Sequence, residues 1–166
     1  TLLYQLKTKK MDLLNAQRLA NELINQYGLS EKGWGFKFDT AVSRFGCCKH
    51  TRKTITLSKH LVSVNDESRV KDTILHEIAH ALVGPGHGHD WVWKAKARSI
   101  GCTGNRCYSE KTTKVPESKY IALCNGCGTV HKKHRRTKSV MACGICCKGK
   151  FQRQYVLDFK LNPKFI

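Results

Sequence analysis

The sequence predicts an α+β protein of two units: helices packed on a small antiparallel sheet, followed across a short linker by a smaller, cysteine-rich β unit. Three observations predict it. Helical periodicity and short β-branched runs alternate through residues 1–110, one helix there carries two histidines a turn apart, and two CxxC pairs stand fifteen residues apart near the C-terminus.

In the first helix, Leu13, Leu14, Ala16, Leu19, Ala20, Leu23, Ile24 and Tyr27 recur at helical spacing between Met11 and Tyr27, and Gly28 follows as a cap. Trp34 to Phe38 alternates large apolar with small or polar residues, Ala41 to Phe45 does so weakly, and Thr54 to Ser58 is β-branched. Three short antiparallel strands are therefore expected, with Cys47-Cys48 near a turn as structural thiols. Residues 59–64 form a short helical or irregular connector, after which Asn65 or Asp66 caps a helix running from about Ser68 to Val83. Gly84-Pro85-Gly86 stops it, and a further helix follows from about Asp90 to Ile100. Cys102 and Cys107 bracket a turn-rich loop and read as buried or free thiols. Residues 111–119, Lys/Thr/Ser-rich with Pro116, read as a linker, residues 120–158 as the second unit, and residues 159–166 as a tail without periodicity.

Composition narrows the partners. Lys and Arg number 30 against 12 Asp and Glu, a formal charge of +18, and so large an excess in a folded chain calls for an anionic partner, nucleic acid being the commonest. No apolar run approaches the roughly 18 residues that cross a bilayer, and no signal sequence leads the chain, so a soluble, intracellular protein without membrane contact is expected, in the cytoplasm or on the nucleoid. A monomer is expected too. Nine cysteines, an odd number with four in CxxC pairs, fit metal ligation in a reducing compartment better than a disulfide framework.

Two stretches carry chemistry. In Asp72-Thr73-Ile74-Leu75-His76-Glu77-Ile78-Ala79-His80-Ala81-Leu82-Val83, a helix places His76 and His80 on one face, where two imidazoles converge on a metal ion with Glu77 beside them. Ile74, Leu75, Ile78, Ala79 and Leu82 form a separate apolar stripe that anchors the helix. A third ligand is required, and His87 or His89, beyond the glycine break, can fold back to supply it. Three histidines leave a fourth position for water, whose pKa zinc lowers to about 7, and Glu77 can take the proton of that zinc-bound water and hand it to a leaving amine. Trp93, a turn beyond His89, is expected to pack beneath the site.

The other stretch pairs Cys124 and Cys127 with Cys143 and Cys146. Two such knuckles fill a tetrahedral zinc shell, and the interval between them suits a hairpin, so a structural zinc ribbon is expected, with Cys147 the competitor of Cys146. Its arm holds Lys132, Lys133, Arg135, Arg136 and Lys138, a finger suited to phosphates.

The segment from His76-Glu77 through His80 to His89, continuing to Trp93-Lys94, resembles the SprT-like family of zinc metalloproteases, as do Phe36-Lys37-Phe38, Thr54 to Ser58, Asp72-Thr73 and the four-cysteine ribbon. The likeness runs from about Leu13 to Asp158 and is closest to the family's small microbial and viral members. There the third histidine is followed by glycine and, four residues on, by tryptophan. Laid without gaps on this chain, that pattern places the ligand at His89 and the tryptophan at Trp93, although Asp90 stands where glycine is usual and His87 is itself followed by Gly88 and Trp91. The resemblance implies a zincin-like core, one catalytic and one structural zinc, and DNA-dependent proteolysis of protein crosslinked to DNA, single- or double-stranded. The competing expectation is a nucleic-acid-binding ribbon protein whose HExxH site is structural or inactive. Glu77 separates the two, since a structural site needs no carboxylate there.

Overall fold

The computed structural model describes residues 10–106 and 113–165. Cys107 and the start of the predicted linker fall outside them. The chain divides into two compact units, Thr1–Pro116 and Glu117–Ile166.

In the first unit, helix α1 (Leu13–Gln26) starts at Asp12, whose carboxylate accepts the Asn15 N–H at 2.8 Å. Ala16, Ala20, Leu23 and Ile24 are buried, whereas Leu14 is exposed. The inward stripe thus begins with two alanines, and the leucines that open the helix do not belong to it. The sheet comprises β1 (Gly35–Asp39), β2 (Gly46–Lys49) and β3 (Thr54–Ser58) in the order β1-β3-β2. It is mixed rather than antiparallel: β3 pairs antiparallel with β2 and parallel with β1. A tight turn at His50–Arg52, with Lys53 at φ 43°, folds β2 back on β3 and leaves only β3's other edge for β1. Ile55, Thr56, Leu57 and Ser58 are all buried, as a central strand requires.

The second strand lies later than expected. Residues 41–45 are the crossing from β1, fastened by Asp39, which accepts the Ala41 N–H at 2.9 Å and Arg44 at 2.8 Å. Cys47 and Cys48 accordingly stand inside β2, opposite Thr56 and Ile55, and not at a turn.

After the short α2 (Lys59–Val62), α3 (Glu67–Val83) is capped by Asp66, which accepts the Arg69 N–H at 2.9 Å, with Glu67 in its positive first turn. Val70, Ile74, Leu75, Ile78 and Ala79 bury the core face; Leu82 is half-buried. Gly84 ends the helix at φ 84°, a backbone conformation that glycine adopts without strain. Helix α4 (Trp91–Ser99) is capped by Asp90 and buries Trp93 and Ala97, leaving Ala95 outside. Asn65 fastens the far end of the unit: its amide donates to Leu61 O and Lys114 O, both at 2.8 Å, and its carbonyl accepts the Lys114 N–H.

In the second unit, β4 (Tyr120–Leu123) is flanked by β5 (Val130–Lys133) and β6 (Lys160–Leu161), both antiparallel. Residues 159–165 are therefore not a tail without structure. Tyr120 pairs with Leu161, and buried Asn162 donates to Ser118 O and Lys119 O. A two-residue strand is too short to show any period, which is why sequence alone does not reveal it. Helix α5 (Gly144–Cys147) carries the second knuckle. Among its described residues the buried apolar core of this unit is Ala122, Cys124, Cys143, Cys147 and Leu157. Among the described residues no helix is long and apolar enough to cross a membrane.

Candidate metal centres

His76 and His80 project from one face of α3, and the glycine-broken turn after it returns His89 to meet them. The Nε2 atoms of His76 and His89 lie 3.0 Å apart, those of His80 and His89 3.2 Å. Nitrogens about 2.0–2.1 Å from one tetrahedral zinc stand roughly 3.3 Å from each other, so the three imidazoles fit that ion. Beneath them lies Trp93, fully buried, its ring centroid 4.5 Å from those of His76 and His89 and 5.0 Å from that of His80. The indole is a floor that fixes all three rings. His87 stands outside the cluster; its Nδ1 lies 2.8 Å from Asp90 Oδ2.

Burial, reinforced by the neighbouring imidazoles, lowers His76 to about 3 and His80 to about 4, and burial lowers His89 as well. All three are therefore neutral at pH 7, the form in which an imidazole can hold a metal. The opposite shift falls on Glu77, which burial pushes up to about 7 although the Cys48 N–H and Arg44 draw it back. In the metal-free protein these shifts act in opposite senses. The unfolded chain binds more protons at the histidines below about pH 6.5, so stability falls as pH drops through that range; the folded chain binds one more at Glu77 between about pH 7 and 4.5, which offsets part of the loss. Three groups outweigh one. The melting temperature of the metal-free protein is expected to fall by on the order of 5 °C from pH 7 to pH 4.5, and more steeply in Glu77→Gln, as thermal unfolding at the two pH values would record.

Facing the histidines across a cavity of about 630 Å³ is strand β2, with Arg44, Cys48 and His50 on that wall and Arg69, Thr73 and Arg106 beside α3. Sequence reasoning did not place β2 here. One signal was available, since an isolated glycine in a strand marks a close backbone approach, and Gly46 is such a glycine. A Cβ at Gly46 would sit 2.6 Å from Glu77 Oε1. Gly46→Ala is thus expected to displace the carboxylate and to lower any reaction it serves by about 10–100-fold, with little change in metal content; steady-state rates and elemental analysis of the variant are the check.

The second cluster is Cys124, Cys127, Cys143 and Cys146. Cys124 and Cys146 Sγ are 3.7 Å apart, Cys127 and Cys143 Sγ 3.6 Å. Sulfurs about 2.3 Å from a tetrahedral zinc lie roughly 3.8 Å apart, so this set also fits, as a closed shell. The thiols are unevenly disposed to ionise: hydrogen bonding with Thr129 lowers Cys127 to about 6, while desolvation and the neighbouring thiols raise Cys146 to about 12. A divalent cation removes that disparity. Cys147 is buried outside the cluster, its N–H bonded to Cys143 O.

On the arm that follows β5, Arg135, Arg136 and Lys138 are exposed, as is Lys132 in the strand. Lys133 is half-buried, with Nζ 6.0 Å from the Phe159 ring centroid, and so is partly engaged within the unit.

The SprT-like family profile matches residues 14–116, more than half of the chain. The chain is also similar to a Caenorhabditis elegans protein named germ cell nuclear acidic-1 protein, 30% identical over 115 residues. That match covers 60% of this chain and 21% of the relative, so the chain spans about a fifth of the worm protein's length.

Proposed function

The chain belongs to the SprT-like family, and from that premise we propose that it is a zinc-dependent endopeptidase that works on DNA, cleaving protein bound or crosslinked to it. The observation that carries the reading is the convergence of three neutral imidazoles beside one buried carboxylate in an open cleft. His76, His80 and His89 would hold the ion, and the Trp93 floor would keep their rings aimed at it. Zinc, when bound, supplies a Lewis acid that polarises the scissile carbonyl and acidifies water.

The remaining steps fall to the chain's own residues. Glu77, with a pKa near 7, is matched to accept a proton from the attacking water at neutral pH and to return it to the departing amine. Gly46 leaves room for that carboxylate, and the Cys48 N–H orients it. The four cysteines, a closed shell without room for substrate, would hold a second zinc that stabilises the C-terminal unit.

The DNA partner is supported by the +18 charge and by the exposed cations of the arm. If four of them release counterions, the logarithm of the DNA association constant should fall against the logarithm of salt concentration with a slope of about −3 to −4, and Arg135→Gln with Arg136→Gln should flatten it by about 2. A slope near zero in a fluorescence-anisotropy titration would remove DNA from the reading.

The same cations support a second reading, a nucleic-acid-binding protein with an inactive metal site. That alternative leaves the buried Glu77 and its glycine niche without a purpose. The assay that separates them measures cleavage of a DNA-binding protein by the zinc-loaded chain, with and without DNA. DNA-stimulated cleavage is the expected result; no cleavage in either condition favours the binding module.

A further inference from the structure

The wall of the cleft beside α3 is positively charged. Arg69 lies two helical turns before His76 on the same face, with Thr73 between them donating its hydroxyl to Arg69 O. It pairs loosely with Asp72, whose Oδ2 is 3.5 Å from Arg69 Nη2, and Asp72 is itself held by Thr103, whose N–H donates at 2.8 Å and whose hydroxyl donates at 3.1 Å. Arg69 Nε is shielded from solvent and, among the described residues, has no hydrogen-bond partner. A guanidinium donor withheld from water and unpaired is unfavourable until an acceptor reaches it.

Arg106, on the loop that Thr103 anchors, lines the same cavity, and its charge helps hold His89 neutral. Arg44, on the opposite wall, is tied to Asp39 at 2.8 Å. Glu77 is the single carboxylate among the lining residues, and the Cys48 N–H engages it. Among the described residues, the wall thus carries more cations than carboxylates, and the Arg69 Nε donor faces it without an acceptor.

We propose that Arg69 and Arg106 form a subsite for a carboxylate of the substrate polypeptide, so that the cleft favours chains with Asp or Glu beside the bond to be cleaved. The proposal rests on the endopeptidase reading above. The chemistry suits it: a guanidinium fork binds a carboxylate through two parallel charge-assisted hydrogen bonds, and a substrate lysine or arginine in the same place would meet like charge.

The test uses the zinc-loaded full chain with DNA present and peptides that differ at single positions around a central bond, carrying Asp, Ala or Lys. At one position kcat/KM should favour Asp over Ala by about tenfold and Lys should be the poorest, an effect of the size of one charge-assisted hydrogen bond. In Arg69→Gln the Asp/Ala ratio should fall to near one. Because the ratio is taken within one preparation, it is insensitive to partial loss of folded enzyme, and Arg106→Gln, on a loop, should lower it independently.

Cleavage with an Asp/Ala ratio near one at every position in the unsubstituted chain overturns the subsite and leaves the endopeptidase reading standing. If no peptide is cleaved, that reading fails, and the subsite is judged by anisotropy of the same labelled peptides on zinc-loaded Glu77→Gln: tighter binding of the Asp peptide by about tenfold supports it, and equal binding overturns it. Loss of single-stranded DNA affinity in Arg69→Gln with no change in peptide preference also overturns it, assigning the wall to phosphate.

Discussion

Glu77→Gln should lower the rate of peptide-bond cleavage by about 10²–10⁴-fold and leave the metal content and the fold intact. The substitution preserves shape, so the niche at Gly46 still admits the side chain and its amide oxygen can still accept the Cys48 N–H. What it removes is the ability to hold and return a proton. It also removes a carboxyl group that is 6% exposed and costly to ionise there, so a loss of thermal stability is not expected at pH 7. Rates on an unfolded protein substrate, read beside zinc content and melting temperature, separate chemistry from folding. Full activity in a glutamine variant that keeps its zinc would exclude Glu77 as the proton carrier.

Breaking the cysteine cluster should have the larger effect on structure. The unit Glu117–Ile166 buries only a handful of apolar side chains, two of which, Cys124 and Cys143, are themselves members of the cluster. So small a core does not offset the conformational entropy of the segment, and structural zinc in comparable modules contributes on the order of 10 kcal/mol. Cys143→Ala is therefore expected to unfold β4, β5 and β6 while α1, α3 and the first sheet stay protected. Residue-resolved hydrogen exchange distinguishes the outcomes, and a variant with protected β4 and β5 amides would show that the unit folds without its metal. With the unit unfolded, the arm no longer presents its cations in a fixed register, and DNA affinity should decline with it.

The helices were legible because their signals are local. Asp12, Asp66 and Asp90 each stand one residue before a helix, a glycine follows each of the three (Gly28, Gly84 and Gly101), and the apolar period of α3 is carried by Ile74, Leu75, Ile78 and Ala79. His76, Glu77 and His80 share one helix, so their proximity follows from its pitch. His89 is different. Spacing admitted His87 equally, and only the turn through Gly84 and Gly86, with Asp90 both capping α4 and engaging His87, separates the two.

What could not be read depends on long-range pairing. Gly46-Cys47-Cys48-Lys49 has no alternation and becomes a strand because β3 offers it an edge. The parallel direction of β1 follows from which edge remains, a property of topology that no window of sequence contains. The roles of Gly46, Cys48 and Arg69 in the cleft follow from the same packing.

The most direct test of the account is zinc K-edge absorption on the intact, zinc-loaded chain, calibrated by elemental analysis. Two zincs per chain are expected, one surrounded by four sulfurs and one by three imidazole nitrogens and a further light atom, with His80→Gln depleting the second alone. A folded chain that takes up one zinc, bounded only by sulfur, would contradict it, because the histidine centre on which the proposed chemistry depends would then hold no zinc.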